Sequence, residues 1–284
     1  ETFHFLLGSL LSAFALFFFK SSSIANSFLF IILFIVILVV NEFKAFQKLG
    51  KVIRFLLLLL CYICYFILLV PIILGIINSF VFMGSIALSA LFLFGFYKFL
   101  SKLEIIPEME GKRIILFPGS AMISGFIILY FLQIIPPVPL SLEKIGIYHK
   151  VERAYPVYKL YHERPWYRFW QTGDQRYIAR PGDKLFVFVR IFSPGGFSDA
   201  VVLHWMKDVN GTYKTSDRIR INIKGGRGKG YRGISFKSNY ETGQYRVKVE
   251  TLSGLEIGRI NLEVINASKE DLAVKRIFKI DSDS

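Results

Sequence analysis

Five long apolar stretches dominate the first half of the chain. They contain no Asp, Glu, Lys or Arg and cover Phe3–Phe19, Ile24–Val40, Phe55–Ile77, Phe80–Tyr97 and Ile114–Ile135. Each has roughly the 17 to 25 residues that a helix needs to cross a bilayer, where only a helix satisfies its own backbone hydrogen bonds. The pattern therefore predicts a polytopic transmembrane helical domain over residues 1–136. Because the chain begins with Glu1 and shows neither a basic leader nor a small-residue cleavage motif, five spans are a minimum.

The loops between these stretches differ in charge, and that difference predicts an orientation. Loops 41–54 and 98–113 each hold four Lys or Arg residues, whereas the alternate loops 20–23 and 78–79 hold one between them. Lys and Arg are retained on the cytoplasmic side of a membrane. We therefore expect the chain to leave the cytoplasm through the fifth span of a bacterial inner (plasma) membrane. Everything after about residue 137 is then extracytoplasmic.

The polar and apolar positions alternate with a period of two after residue 180. Candidate strands separated by turn residues cover Lys184–Phe192, Ala200–Lys207, Tyr213–Ile223, Tyr231–Lys237, Gln244–Leu252 and Glu256–Ile265. Short strands at this spacing predict an all-β, immunoglobulin-like sandwich over 181–265. The flanking segments are predicted to be an aromatic and basic juxtamembrane collar (137–180) and a polar tail (266–284).

Positive charge is concentrated in the predicted extracytoplasmic part. The chain has a formal net charge of +14, and residues 137–284 carry 26 Lys and Arg against 16 Asp and Glu. A basic domain at a cell envelope favours anionic neighbours: an acidic protein face, anionic lipid headgroups or acidic glycan. A solvated surface with a surplus of bases explains the same numbers equally well.

Chemistry-bearing motifs are absent from the sequence. The uncharged spans argue against ion-coupled transport, which places ionisable residues at membrane depth. Cys61 and Cys64 lie together in an apolar span without metal or thiol partners, so we expect them to serve packing. The histidines His149, His162 and His204 lack the spacing of a zinc site, so solvated or core positions are expected. We predict no enzyme activity, no catalytic residue, no cofactor and no metal.

A glycine-rich segment, "KGGRGKGYRG" at 224–233, contains a G-x-G-x-x-G. The dinucleotide fingerprint needs a strand–turn–helix context, which is missing here, so we expect the glycines to shape a hairpin turn. The bases Lys224, Arg227, Lys229 and Arg232 are then predicted to point outward as candidate anion- or partner-binding residues.

A second candidate surface lies in the segment 148–177, where aromatic and basic residues interleave. Arg164, Trp166, Arg168 and Trp170 are its candidate binding residues. Because the segment follows a membrane span, a membrane-surface collar or docking face is favoured. A first strand of the core is the next alternative, and nucleic-acid stacking is the least favoured.

Several motifs in fixed order resemble a known family. They are "PPVPLSLEKIGIYH", "LHWMKDVNG", "GGRGKGYRG", "TGQYRVKVET" and "IGRINLEV". From about Val138 to Ile265 the chain resembles bacterial multi-pass membrane proteins that carry the domain-of-unknown-function family 2914. The resemblance implies a β domain behind several membrane helices and supplies no catalytic residue. Tyr245 stands where such domains usually show Trp, which keeps an aromatic core position.

The sequence thus favours a non-enzymatic integral membrane protein, an accessory or scaffold subunit of a membrane complex. Its partners would be the bilayer, a protein subunit and, as alternatives, anionic lipid or glycan, with no nucleic acid. The alternative hypothesis is a subunit of an envelope enzyme or transporter whose chemistry lies in a partner chain or in missing N-terminal residues.

Overall fold

The fold is described from a computed structural model, which covers residues 2–44, 50–154, 157–195, 197–225, 228 and 230–283. The chain divides into two units. A helical unit comprises Glu1–Pro139 with Ser253–Glu256, and a β unit comprises Leu140–Leu252 with Ile257–Ser284.

Helices occupy all five apolar stretches of the sequence. They are α1 (Thr2–Lys20), α2 (Ile24–Glu42), α3 (Lys51–Leu74), α4 (Ser79–Lys102), α5 (Glu108–Gly111) and α6 (Phe117–Phe131). A π-helical turn, Lys112–Leu116, joins α5 to α6 just before Pro118, which has no N–H to donate to the helical ladder. Asn78 caps α4 by accepting the N–H of Val81 at 2.9 Å.

Three of these helices are long and apolar enough to cross a membrane. They are Lys51–Leu74, Ser79–Lys102 and the continuous segment Glu108–Phe131. Helices α1 and α2 contain the shorter apolar segments Phe5–Lys20 and Ser27–Asn41. The helices also extend into the basic clusters that the sequence placed in loops, because the long stems of Lys and Arg fit helix ends. Lys48 lies outside the described residues.

Close contacts between helices explain the small residues of the spans. A Cβ on Gly119 would lie 2.7 Å from Leu93 and 3.2 Å from Leu59, so α6 approaches α3 and α4 at this glycine. Cys61 and Cys64 are buried and unlinked in the same core, as expected for packing residues.

The β unit contains eleven strands in three sheets among its described residues. The strands are β1 (Ser141–Tyr148), β2 (Lys150–Ala154), β3 (Val157–His162), β4 (Arg176–Ala179), β5 (Leu185–Phe192), β6 (Ser198–Val209), β7 (Thr212–Lys224), β8 (Tyr231–Lys237), β9 (Gly243–Thr251), β10 (Glu256–Asn266) and β11 (Lys279–Asp283). The strand orders are β1-β5-β8, β4-β10-β9-β6-β7 and β11-β3-β2.

The first two sheets form a β-sandwich. Trp205, Val247 and Phe188 are fully buried at inward positions of the two sheets. Gly233 of β8 allows their close approach, since a Cβ there would lie 3.3 Å from Ile221 of β7. The third sheet packs on the first through Tyr148, Leu160 and Phe188.

The structure confirms the six predicted strands and corrects their flanks. The expected collar, 137–180, contributes strands β1 to β4, and the expected polar tail, 266–284, forms a short helix α7 (Lys269–Ala273) and strand β11. Strand β11 is polar, "KIDSD", and pairs antiparallel with β3, more than a hundred residues earlier. Pairing with β3 stabilises β11, and the local strand propensity of β11 does not indicate that it pairs with β3.

Candidate functional site: a basic sheet face and an aromatic loop

The outer face of β7 carries a regular series of polar side chains. Arg218, Arg220, Asn222 and Lys224 are exposed, whereas the intervening isoleucines 219, 221 and 223 are more buried. Successive side chains of a strand point to opposite faces, so this alternation places the three bases on one surface. The sequence-predicted residue Lys224 therefore belongs to a strand surface.

Strand register extends this surface across the sheet. Two neighbouring rows across β9, β6 and β7 are Lys248–His204–Arg218 and Glu250–Val202–Arg220. Adjacent strands are about 4.8 Å apart, so the outer residues of one row stand roughly 10 Å from each other. The charges are thus held on a rigid grid.

We call this surface the basic sheet face. Its bases are Arg176, Arg218, Arg220, Lys224, Arg246, Lys248 and Arg259, and its acids are Asp208, Glu250 and Glu263. Bases therefore outnumber acids among the described residues of this face. Such a predominantly positive surface attracts anionic groups.

Several of the bases are held in place by neighbouring side chains. Arg246 lies 3.9 Å from the ring centre of Tyr213, and its Nε donates to Asn261 Oδ1 at 2.9 Å. Arg218 Nη2 lies 3.4 Å from the buried carboxylate of Glu250. These contacts orient guanidinium groups before any ligand arrives, which lowers the entropy that binding would cost.

The buried pair behind Arg218 is His204 and Glu250. His204 Nδ1 is 3.2 Å from Glu250 Oε2, and its Nε2 is 2.8 Å from the hydroxyl of Thr215. The imidazole thus bridges β9 and β7 across β6. These contacts explain why His204 is buried although it lies on the outer face of the sheet.

An aromatic loop, Trp166–Trp170, lies at the other end of the same sheet. Its turns are closed by Arg168 N–H to Pro165 O at 3.2 Å and Gln171 N–H to Arg168 O at 3.1 Å. Arg164 is directed inward, donating to the carbonyl of Gln171. The Arg164 guanidinium also lies 3.8 Å from Asp281 of β11. Arg164 therefore stabilises the conformation of the loop from its inner side.

A groove connects the aromatic loop with the basic sheet face. Its lining includes Arg168 and Gln171 from the loop and Arg176, Gln244 and Asn261 from the sheet. The structure thus brings the predicted residue Arg168 to the same groove as Arg176 of the sheet, which sequence reasoning did not connect.

The glycine-rich segment has a different structure from the predicted hairpin. Strands β7 and β8 belong to different sheets, so the segment crosses from one sheet of the sandwich to the other. Gly230 has a φ of +77°, and a Cβ on Gly225 would overlap the carbonyl of Pro194. The glycines meet these two constraints at the crossover, a left-handed backbone and a close backbone approach.

The bases of this segment lie in different environments. Lys224 is exposed on the basic sheet face, whereas Arg232 Nε donates to Asp283 Oδ2 at 2.8 Å and its guanidinium lies 5.5 Å from the ring centre of Tyr158. Arg232 is directed into the fold, contrary to the expected outward position. Arg227 and Lys229 lie outside the described residues.

Sequence reasoning missed a buried ionic cluster around His149. Its Nε2 lies 3.3 Å from Glu163 and 3.5 Å from Asp174, and Arg276 contacts Glu163 and Asp183 at 2.8 Å each. Burial raises the pKa of Asp174. Burial would also raise the pKa of Glu163, but the hydrogen bond and charge of His149, with the nearby arginines, lower it. These partners come from distant segments, so no local pattern could reveal them.

The three histidines of the β unit occupy buried positions beside acids. His162 Nε2 lies 3.2 Å from Asp281, and His149 and His204 have the partners given above. Of the solvated or core positions expected for these residues, the structure shows buried ones. Within the described ranges, no group of His, Cys, Asp and Glu is arranged to hold a metal ion.

The strands of the basic sheet face coincide with a family match. Residues 198–264 match the model of "Protein of unknown function (DUF2914)". This range runs from the start of β6 into β10, so the domain family expected from the motifs is confirmed for that segment and not for residues 138–197. No curated protein matches the chain.

Some solved structures are similar to part of the chain. An immunoglobulin-like protein from Pseudomonas aeruginosa is 13% identical with a TM-score of 0.25, over 43% of this chain and 97% of that one. A β-glucosidase from Listeria innocua is 13% identical with a TM-score of 0.23, over 32% of this chain and 15% of the enzyme. A β-glucosidase from Kluyveromyces marxianus is 14% identical with a TM-score of 0.22, over 31% and 13%. The chain thus spans less than a sixth of either glucosidase.

Proposed function

We propose that the protein is a non-enzymatic integral membrane protein whose basic sheet face binds an acidic partner subunit in the cell envelope. The observation that carries the proposal is the registered grid of bases on β7 and β9, with Arg218, Arg220 and Lys224 on one strand and Arg246 and Lys248 on another. Arg is enriched at protein interfaces, and complementary charge steers association. An accessory or scaffold subunit of a membrane complex fits this surface.

The membrane arrangement is part of the proposal. We infer that α1 and α2 cross the bilayer together with the three segments of Lys51–Leu74, Ser79–Lys102 and Glu108–Phe131, giving at least five spans. The excess of bases in loops 41–54 and 98–113 supports cytoplasmic positions for both. The β unit, with an immunoglobulin-like sandwich, would then face the extracytoplasmic side of a bacterial inner membrane.

Matched charge variants test the proposal. Arg220→Gln with Lys224→Gln removes two exposed bases from the basic sheet face. Lys269→Gln with Lys275→Gln removes two exposed bases of the C-terminal segment and serves as the control. Each exposed base contributes up to about 1 kcal/mol at low ionic strength. The face variant should therefore bind an acidic partner up to roughly thirty times more weakly, and the control should bind normally.

The readout is the set of chains that co-purify with the full-length protein in mild detergent at low and high salt. Loss of one acidic chain in the face variant alone supports the proposal. Equal retention by both variants would contradict it. Unchanged co-purification together with weaker binding to anionic vesicles or acidic glycan would assign the face to those ligands instead.

A further inference from the structure

The aromatic loop exposes an unusual amount of apolar surface. The side chains of Trp166, Phe169 and Trp170 are 83%, 80% and 68% exposed, and Tyr167 between them is exposed as well. Large aromatic side chains contribute strongly to burial when they have a partner, and a contiguous exposed group marks an interaction surface.

The loop is held in this exposed conformation. Arg164 donates to the carbonyl of Gln171 across the base of the loop, and two backbone turns close it from Pro165 to Arg168 and from Arg168 to Gln171. Arg164 also faces Asp281 of β11, so it links the loop to the sheet that contains β11. The aromatic side chains are thus displayed by a fixed backbone.

The ring geometry distinguishes between classes of ligand. Trp166 and Tyr167 meet at an interplanar angle of 83°, and Phe169 and Trp170 at 81°. Sugars and bases stack on the flat faces of aromatic rings, and adjacent rings at right angles do not form a continuous flat platform. A cluster of edge-to-face rings instead makes a compact apolar projection with polar Trp N–H and Tyr O–H groups.

The charge around the loop favours an anionic lipid surface as its partner. The stretch 164–173 contains no acid, and its base Arg168 also lines the groove that leads to Arg176. Trp and Tyr favour the interface of a bilayer, and Arg pairs with lipid phosphates there. The same chain supplies three helices long and apolar enough to span a bilayer.

We propose that the loop Trp166–Trp170 inserts into the headgroup region of an anionic bilayer, with Arg168 pairing with lipid phosphate. The aromatic side chains lose their exposed surface to the interface, and Arg168 supplies the preference for anionic lipid. This site is separate from the proposed subunit contact of β7, so either can fail alone.

The tryptophan content of the chain allows a direct test. The protein has three tryptophans, Trp166, Trp170 and the fully buried Trp205, and none lies in the helical unit. Full-length protein is reconstituted into vesicles of phosphatidylcholine and phosphatidylglycerol that contain lipids brominated near the headgroup or deep in the acyl chains. The variant Trp166→Phe with Trp170→Phe retains Trp205 alone and reports the baseline.

Shallow bromines should quench most of the emission that the two loop tryptophans contribute, and deep bromines should quench it less. The Trp205-only variant should be almost unaffected, and its unshifted emission shows that the β unit is folded. Replacing phosphatidylglycerol by phosphatidylcholine, or Arg168 by Gln, should weaken the shallow quenching, whereas Ile277→Ser, a change at another exposed apolar residue, should not.

Equal quenching of the wild type and the Trp205-only variant would overturn the proposal. So would loop tryptophans that stay fully accessible to an aqueous quencher in the vesicles. Protection of these tryptophans by a soluble acidic glycan, without quenching by brominated lipid, would also overturn it and assign the loop to glycan.

Discussion

Arg232 donates from Nε to Asp283 Oδ2 at 2.8 Å, which ties the glycine-rich crossover to the last strand of the chain. The other oxygen of Asp283 accepts from Arg190 at 2.8 Å, and Lys144 lies 3.8 Å away. The carboxylate is buried among three cations. A residue expected in a polar tail thus has a structural role in the β unit.

Asp283→Asn should destabilise the β unit. It removes the negative charge that faces Arg190 and Arg232 and weakens two charge-assisted hydrogen bonds. We expect the free energy of unfolding to fall by about 2 kcal/mol, the scale of one hydrogen bond to a charged group. Denaturant titration followed by tryptophan fluorescence measures it. Glu270→Gln, a change at an exposed acid of α7, is the control; a loss of equal size there would contradict this role of Asp283.

Acid should weaken the cluster around Glu163. Its pKa is lowered in the folded protein, so the stability that it contributes is complete above the ordinary glutamate pKa of about 4.3 and is lost as the pH falls through the lowered folded value. Asp174 acts in the opposite direction, since its pKa is raised by burial and its protonation favours the fold.

Glu163→Gln should therefore flatten the acid limb of the stability curve. Thermal unfolding from roughly pH 3 to 7 compares it with the wild type, and Glu270→Gln again serves as the exposed control. Parallel curves for wild type and Glu163→Gln would show that Glu163 is not the group that titrates.

The crossover glycines should differ in their tolerance of a side chain. Gly230 has a left-handed backbone, and a Cβ there would lie 2.9 Å from the carbonyl of Ile191. Gly230→Ala should cost roughly 1–2 kcal/mol because L-residues disfavour this conformation. Gly228→Ala should be neutral, since a Cβ at Gly228 would meet no atom within 4 Å. Equal melting temperatures for the two variants would refute the distinction.

The charge asymmetry of the loops predicts the topology of the chain. A reporter that is active only in the cytoplasm should be silent when fused after Ser284, because four bases in each of loops 41–54 and 98–113 favour cytoplasmic positions. Fusion within loop 98–113 is the positive control. A strong signal from the fusion after Ser284 would show that the C-terminus is cytoplasmic. It would contradict the proposed partner in the cell envelope.

Hydrophobic periodicity predicted those helices and strands whose sequences show a clear pattern. Uncharged runs gave the helices, and alternation gave β5 to β10 nearly to the residue, because both patterns record which side of an element is buried. Strands β1 and β11 were missed, and β2 to β4 lie in the segment for which a first strand of the core was only the second alternative. Strands β1, β4 and β11 pair with strands distant in sequence, namely β5, β10 and β3. Strands β2 and β3 pair with each other, but their many aromatic and basic residues also suit a membrane surface.

Only part of the candidate site could be predicted from the sequence. The alternation of Arg218, Arg220 and Lys224 is visible in the sequence, yet their alignment with Lys248 depends on strand register. The glycine motif drew attention to Arg232, whose partner Asp283 lies fifty-one residues later. Cross-strand registers and long-range ion pairs are properties of the folded chain, so a single sequence does not reveal them.

Site-specific photo-crosslinking in cells tests the central proposal most directly. A benzoylphenylalanine at position 220 samples the partner of the basic sheet face, and the same group at position 269 samples the C-terminal segment. We expect an adduct with one acidic envelope protein from position 220, diminished by Lys224→Gln with Lys248→Gln, and none from position 269. No adduct from position 220, or the same adducts from both positions, would contradict it.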